Sequence, residues 1–156
     1  MELAEELGIT AAHMSRFGSV GEASDDDFSV SIDHKLMGQV NLVRTALRHI
    51  TENGSITITT GLLAREPWPG TVPTAMVNAA LEGFIRAAAL DVAKGIRINA
   101  VSPVFVTETA KKMGMNTAGT MLAIETAKAY QASTEGDMTS QVLDVCDYGR
   151  VEGGGK

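Results

Sequence analysis

Thr60 is the residue best placed for chemistry by its position alone. It ends a run of mostly β-branched residues, 55–60, whose composition favours an extended strand over a helix. Open α/β sheets bind ligands at the carboxyl ends of their strands, so the Thr60 hydroxyl is a candidate hydrogen-bond donor to a bound molecule. Residues 61–73 follow with three prolines, two glycines and the only tryptophan, which predicts an irregular loop that faces the ligand.

Metal chemistry is not indicated. The histidines lack metal-ligand spacing and Cys146 is the only cysteine, so we expect no metal. The acidic run 25–27 follows Ser24, an arrangement typical of a helix N-terminus rather than a cation site. The three histidines are His13, His34 and His49.

Two long helices are expected to carry side chains toward Thr60. Apolar residues between Phe28 and Ile50 recur every three or four positions, which predicts one helix from Ser24 to the Asn-Gly pair at 53–54. Residues 74–93 are alanine-rich and predict a second helix. This helix carries a stripe of small residues at every fourth position: Ala75, Ala79, Gly83 and Ala87.

The remaining segments predict strands between the helices. Residues 1–7 are expected to end a helix, and residues 104–117 have no clear period. A further helix is expected at 119–132. The predicted additional strands are 9–12, 96–102 and 140–145. Strands that alternate with helices predict a parallel sheet covered on both faces.

Composition limits the size of the fold and its partners. With 156 residues, 44% of them hydrophobic, the chain fits one domain, expected over 1–150, with a disordered tail at 151–156. A net charge of −6 argues against nucleic acid or an anionic membrane as partner. No apolar run approaches the roughly 20 residues of a membrane span. One cysteine and no secretory signal predict a cytoplasmic protein.

Three segments together resemble the short-chain dehydrogenase/reductase family. They are the strand 54–60, the end of the alanine-rich helix at 81–89, and residues 95–103, Gly-Ile-Arg-Ile-Asn-Ala-Val-Ser-Pro. The resemblance covers about residues 8–148. It implies the C-terminal part of a Rossmann-type doubly wound parallel sheet, with about four strands and flanking helices. No glycine-rich cofactor turn is found in the chain, so the resemblance implies an N-terminally truncated member.

The resemblance also assigns the catalytic positions. Thr74 falls where the family has its tyrosine and Asn78 where it has its lysine, and neither can do the original acid-base work. The family's serine position falls on Gly61 or, with a one-residue shift, on Thr60. An asparagine of the preceding long helix is replaced by Lys35. The candidate catalytic residues are therefore Thr60, Asn78 and Lys35.

Cofactor contacts follow from the same resemblance. Ala11 and Ala12 lie near the family's Asn-Ala-Gly segment, while Pro103 and Val104 replace the Pro-Gly that runs beside a nicotinamide ring. Thr107 is a candidate for a cofactor amide or phosphate, although a loop hydroxyl more often bonds its own backbone. The implied cofactor is NADP or NAD.

Two functions of different classes remain open. One is an NAD(P)-dependent oxidoreductase that moves a hydride to or from a small carbonyl or alcohol substrate, either active or inactivated by the truncation. The alternative is a non-catalytic binding or assembly module that keeps the scaffold. In either case we expect a homodimer or higher homo-oligomer, formed through the two long helices or the edge strand.

Overall fold

A computed structural model describes residues 4–8 by their backbone and residues 15–153 with side chains. The chain forms an α/β fold around a four-stranded parallel sheet in the order β1-β2-β3-β4. The strands are β1 (Ala4–Gly8), β2 (Ile50–Thr59), β3 (Arg97–Ser102) and β4 (Val142–Asp144). The predicted Rossmann-type sheet of about four strands is confirmed.

Helices cover both faces of this sheet. The chain between β1 and β2 forms α1 (Asp25–Val30), a π-helical segment (Ser31–Leu36) and α2 (Met37–Ala46). Next come a 3₁₀ turn (Leu62–Ala64) and α3 (Val72–Asp91), and then α4 (Thr107–Lys112), α5 (Ala123–Glu135) and a second 3₁₀ turn (Val145–Asp147).

Alternate residues of β2 face the helices on opposite sides of the sheet. Ile56 and Ile58 are fully buried in the core formed with α2 and α3. The intervening Thr57 points to α5, where its hydroxyl lies 2.7 Å from that of Ser133. Thr59 likewise contacts Tyr130, with 2.6 Å between the two hydroxyl oxygens. One sheet face is therefore apolar and the other is joined to α5 by hydroxyl pairs.

Ser24 starts the first helix as predicted. Its hydroxyl accepts from the backbone N–H of Asp27 at 3.2 Å, and the Asp27 carboxylate accepts from the Ser24 backbone at 3.0 Å. This capping box lowers the pKa of Asp27, chiefly through the backbone hydrogen bond. The expected uninterrupted helix was wrong, however, because residues 31–36 are π-helical and the helix ends at Ala46.

Several predicted boundaries need correction. The Asn-Gly pair at 53–54 lies within β2 rather than at a helix end, and Asn53 has a positive φ of 62° there. Residues 4–8 form a strand instead of the expected helix end, because pairing with β2 outweighs local helix propensity. The expected strand at 9–12 lies outside the described residues. The unpatterned 104–117 segment contains α4.

The expected disordered tail is wrong at its start. Val151 forms a bridge with Met121, and the backbone N–H of Glu152 donates to the Thr120 carbonyl at 2.7 Å. These hydrogen bonds order the chain as far as Glu152. Residues 154–156 lie outside the described residues.

Candidate functional site

A cleft of about 500 Å³ opens at the carboxyl ends of β2 and β3. One wall is the π-helical segment and the first half of α3, and the other is the chain after β3. Thr60 and Gly61 form its floor directly after β2. The cleft therefore lies where a parallel α/β sheet is expected to bind a ligand.

Lys35 projects into this cleft from the π-helical segment. Its side chain is buried, and Nζ donates to the carbonyl oxygen of Thr60 at 3.2 Å. None of the ion pairs within residues 15–153 includes Lys35. Burial without a neighbouring acid lowers the pKa of this amine to about 8. The protonated amine of Lys35 is thus a stronger acid than that of an ordinary lysine, and it can exchange its proton near neutral pH.

Gln39 holds the end of β2 one helical turn after Lys35. Its Nε2 donates to the Thr59 carbonyl at 2.8 Å, and its Oε1 accepts from the Thr59 N–H at 2.8 Å. Because Gln39 is fully buried, this pair of hydrogen bonds fixes the peptide that leads into Thr60. Sequence reasoning missed Gln39, since a polar residue on a helix is ordinarily exposed.

Asn78 meets Gly61 across the cleft floor. A Cβ on Gly61 would lie 2.8 Å from Asn78 Nδ2, so any larger residue would force the Asn78 amide to shift. Asn78 is 1% exposed, and its Oδ1 has no hydrogen-bond partner among the described residues. A buried acceptor without a partner is costly, and a ligand N–H or O–H would satisfy it.

Thr74, at the position implied for the family's tyrosine, already has partners. Its Oγ1 lies 2.9 Å from the Arg16 carbonyl oxygen and 3.0 Å from Ser15 Oγ. Its side chain is buried at the edge of the cleft. The Thr74 hydroxyl therefore has a structural role, because it joins the first turn of α3 to residues 15–16.

The three candidate catalytic residues come together in this cleft. Thr60, Asn78 and Lys35 all line it, although they come from the end of β2, from α3 and from the π-helical segment. Among the residues described with side chains, the Thr60 hydroxyl makes one long hydrogen bond, 3.4 Å, to the Val101 carbonyl oxygen. It therefore has capacity left to bond a ligand.

The candidate cofactor residues divide into three groups. Pro103 and Val104 line the cleft. Thr107 is buried below it, where its hydroxyl lies 2.8 Å from that of Thr120, and Thr120 lines the cleft in its place. Ala11 and Ala12 lie outside the described residues.

An apolar rim surrounds the mouth of the cleft, and sequence reasoning did not assign its residues individually. Trp68 lies in the proline-rich loop, and its ring centroid is 6.0 Å from that of Phe105 with 31° between the planes. Both residues line the cleft, so the predicted loop does face it. The rim side chains are Phe17, Leu62, Trp68, Val104, Phe105 and Met115.

Other classes of site find no support in the described part of the chain. No group of three or more His, Cys, Asp or Glu residues between positions 15 and 153 is arranged to hold a metal ion. None of the described helices has the length and apolarity needed to span a bilayer.

Comparisons with known proteins give a consistent picture. A family model described as Enoyl-(Acyl carrier protein) reductase matches residues 6–145. Oxidoreductase UcpA of Escherichia coli (strain K12) is 30% identical over 107 residues, which is 65% of this chain and 40% of that protein. The matched region thus spans 40% of the length of this curated relative.

Solved structures share most of this fold. Protein lin1944 of Listeria innocua superposes with a TM-score of 0.83 at 30% identity, covering 92% of this chain and 72% of the other. A small-chain dehydrogenase in complex with NADPH gives a TM-score of 0.81 at 28% identity, with the same coverage of both chains.

Proposed function

The chain belongs to the short-chain dehydrogenase/reductase family, and from this premise we propose that it carries the carbonyl-binding part of an NAD(P)-dependent oxidoreductase. The proposed reaction moves a hydride to or from a carbonyl or alcohol carbon. The observation that carries the proposal is the convergence of Lys35, Thr60 and Asn78 on one cleft at the carboxyl ends of the strands.

The amine and the amide have exchanged places relative to the pattern that the resemblance implies. That pattern puts an asparagine on the helix before β2 and a lysine on α3, whereas this chain has Lys35 and Asn78 at those positions. Both side chains still line the same cleft. We therefore assign to Lys35 the role of cation and proton donor at the carbonyl oxygen.

Each residue has a distinct part in this proposal. Lys35 gives a proton to the oxygen of the reduced carbonyl, a role suited to an amine whose pKa is about 8. The Thr60 hydroxyl donates a hydrogen bond to the same oxygen and orients it. Asn78 offers its unpartnered Oδ1 to a donor on the ligand. The apolar rim excludes water around the reacting atoms.

A nicotinamide group fits the hydrogen-bonding groups of the cleft. Pro103 and Val104 border the space, and Asn78 Oδ1 is a buried acceptor that a carboxamide N–H would satisfy. NADP or NAD supplies the hydride when bound. The NADPH complex of the structural relative supports this class of cofactor and leaves the choice between the two open.

A non-catalytic binding module is the second candidate, and one observation favours it. Thr74 replaces the tyrosine, and its hydroxyl is engaged by Ser15 and Arg16 rather than directed to a ligand. A protein with this arrangement would bind a small molecule in the cleft without transferring a hydride.

We also propose that the chain acts as one domain over residues 1–150, in the cytoplasm, as a homodimer or larger assembly. The small residues Ala79, Gly83 and Ala87 of α3 are exposed. Met76 on the same helix and Leu42 on α2 are also exposed apolar side chains. A smooth apolar helix surface of this kind suits packing against a second copy.

Cofactor titration tests the proposal, because Trp68 is the only tryptophan and lines the cleft. We expect micromolar NADPH or NADH to quench Trp68 fluorescence and raise the melting temperature. Trp68→Phe removes the optical signal and keeps the thermal shift, while Asn78→Leu weakens both.

Oxidation of NADPH with apolar aldehydes, followed at 340 nm, then separates the two candidates. Turnover that falls at least tenfold in Lys35→Met supports the oxidoreductase. Cofactor binding without turnover supports the module. No response to either cofactor at millimolar concentration contradicts the cofactor proposal.

A further inference from the structure

Lys35 combines three features that a proton donor alone does not require. Its side chain is 7% exposed, it lies in a cleft with an apolar rim, and it is the only charged residue among those lining the cleft in the described part of the chain. Its one hydrogen bond between residues 15 and 153 goes to the Thr60 carbonyl oxygen. A carbonyl acceptor leaves the amine able to lose its proton, whereas a carboxylate would hold it charged.

The surroundings of Lys35 increase the neutral, nucleophilic fraction of the amine. Burial lowers its pKa from 10.5 to about 8, so roughly a tenth of the amine is unprotonated at pH 7, far more than for an exposed lysine. The neighbouring groups on the cleft floor, Thr60 and Asn78, are uncharged. Desolvation in an apolar pocket is a general means by which a lysine becomes a nucleophile toward carbonyl carbons.

We propose that the Lys35 amine forms an imine with an apolar aldehyde or unhindered ketone bound in the cleft. The nitrogen lone pair attacks the carbonyl carbon, and a proton moves from nitrogen to oxygen to give a carbinolamine. Loss of the hydroxyl group as water then forms the C=N bond. The step consumes one amine and one carbonyl, releases one water, and needs neither oxidant nor reductant.

The lining of the cleft defines the class of carbonyl compound. Lys35 is its only charged lining residue among those described, so a charged substituent on the ligand would have no partner once the amine has reacted. Phe105 and Trp68 instead offer a tilted aromatic pair at the mouth, next to Leu62. Aromatic aldehydes therefore fit better than small hydrated ones.

This covalent chemistry goes beyond the proposed hydride transfer and does not depend on a nicotinamide. Reductive trapping can therefore be run without any nucleotide, so a failure to bind NADPH leaves the result interpretable. In trapping, cyanoborohydride reduces the C=N bond to a secondary amine. The product is heavier than the protein by the mass of the aldehyde less one oxygen atom.

The experiment treats the 156-residue chain with 1-naphthaldehyde and cyanoborohydride at pH 7.5 and maps the modified lysines by peptide mass. Lys112, an exposed lysine of α4, is the internal reference. We expect Lys35 to be modified at least tenfold faster than Lys112. Glycolaldehyde, which is small and polar, should show no such preference. Lys35→Arg should lose the fast phase, and Lys112→Met should retain it.

The comparison between Lys35 and Lys112 is made within the protein of native sequence. Its outcome therefore does not depend on whether any variant folds. Modification of Lys35 at the rate of Lys112 or slower would overturn the proposal. So would an equal preference for Lys35 with both aldehydes, because the apolar cleft would then play no part in the selection.

Discussion

The side-chain amide of Gln39 pairs with both backbone polar groups of Thr59, at 2.8 Å from the carbonyl oxygen and 2.8 Å from the amide nitrogen. Among the described residues, β1 and β2 pair as far as Gly8, opposite Thr57. Beyond that pair, the Gln39 side chain binds both the N–H and the carbonyl oxygen of Thr59. One turn earlier, Lys35 binds the next carbonyl, that of Thr60. The helix thus fixes two consecutive peptide groups at the floor of the cleft.

Gln39→Leu is expected to destabilise the fold. The leucine removes both hydrogen bonds from the buried Thr59 backbone, and we expect a loss of about 2–4 kcal/mol in the free energy of unfolding. Urea denaturation measures this loss. Gln131→Leu, on the exposed face of α5, is the matched control and should change stability by less than about 0.5 kcal/mol. Equal effects of the two substitutions would contradict a special role for Gln39.

Alkaline pH is expected to stabilise the native chain through Lys35. Between pH 8 and 10.5 the unfolded chain holds this amine protonated and the folded chain does not. Unfolding therefore takes up a proton, and stability rises with pH across this window. The free energy of unfolding of the native protein, measured relative to that of Lys35→Met, should rise by about 3 kcal/mol between pH 7 and pH 10.5.

Urea denaturation at several pH values measures this difference. Lys112→Met serves as the control, and its difference in stability from the native protein should not change with pH. Burial also raises the pKa of Tyr130, but that group is common to both proteins and its effect cancels in the comparison. A difference between native and Lys35→Met that stays constant from pH 7 to 10.5 would show that Lys35 has an ordinary pKa.

Gly61→Ala and Gly38→Ala are expected to have opposite effects. A methyl group at Gly61 would lie 2.8 Å from Asn78 Nδ2, so the amide must move, at a cost of about 1–2 kcal/mol. Ligand affinity in the cleft should fall with it. At Gly38 in α2 a methyl group meets nothing within 4 Å, and the alanine should stabilise the helix by about 0.5–1 kcal/mol. Thermal denaturation measures the direction of both changes in stability. An unchanged melting temperature in Gly61→Ala would contradict the close contact with Asn78.

Self-association is expected to depend on the exposed surface of α3. Sedimentation at tens of micromolar should show a dimer or larger species rather than the 16.4 kDa monomer. Ala79→Arg places a long charged side chain on the small-residue stripe and should shift the chain to monomer without changing its circular dichroism. Lys128→Glu, on α5, should leave association unchanged. A folded native monomer at these concentrations would contradict the proposal.

The sequence by itself determined most of the alternation of strands and helices after Ser24, although it missed α4 and the π-helical segment. β-branched residues before Thr60, the apolar period of α2 and the cap at Ser24 are local patterns, and each acts through neighbours a few positions away. The local pattern also predicted that Thr60 lies at the end of a strand. Asn78 and Lys35 were identified through the family resemblance, because no local pattern selects them.

Only the tertiary structure decided the environment of those side chains. Gln39 and Thr59 are 20 positions apart, and Lys35 and Thr60 are 25 apart, so their hydrogen bonds exist only once the helix packs on the sheet. The same packing removes water from Lys35 and lowers its pKa. Strand pairing likewise made residues 4–8 extended. Burial and long-range pairing depend on the whole fold, and for that reason the chemistry of the cleft could not be derived from local sequence.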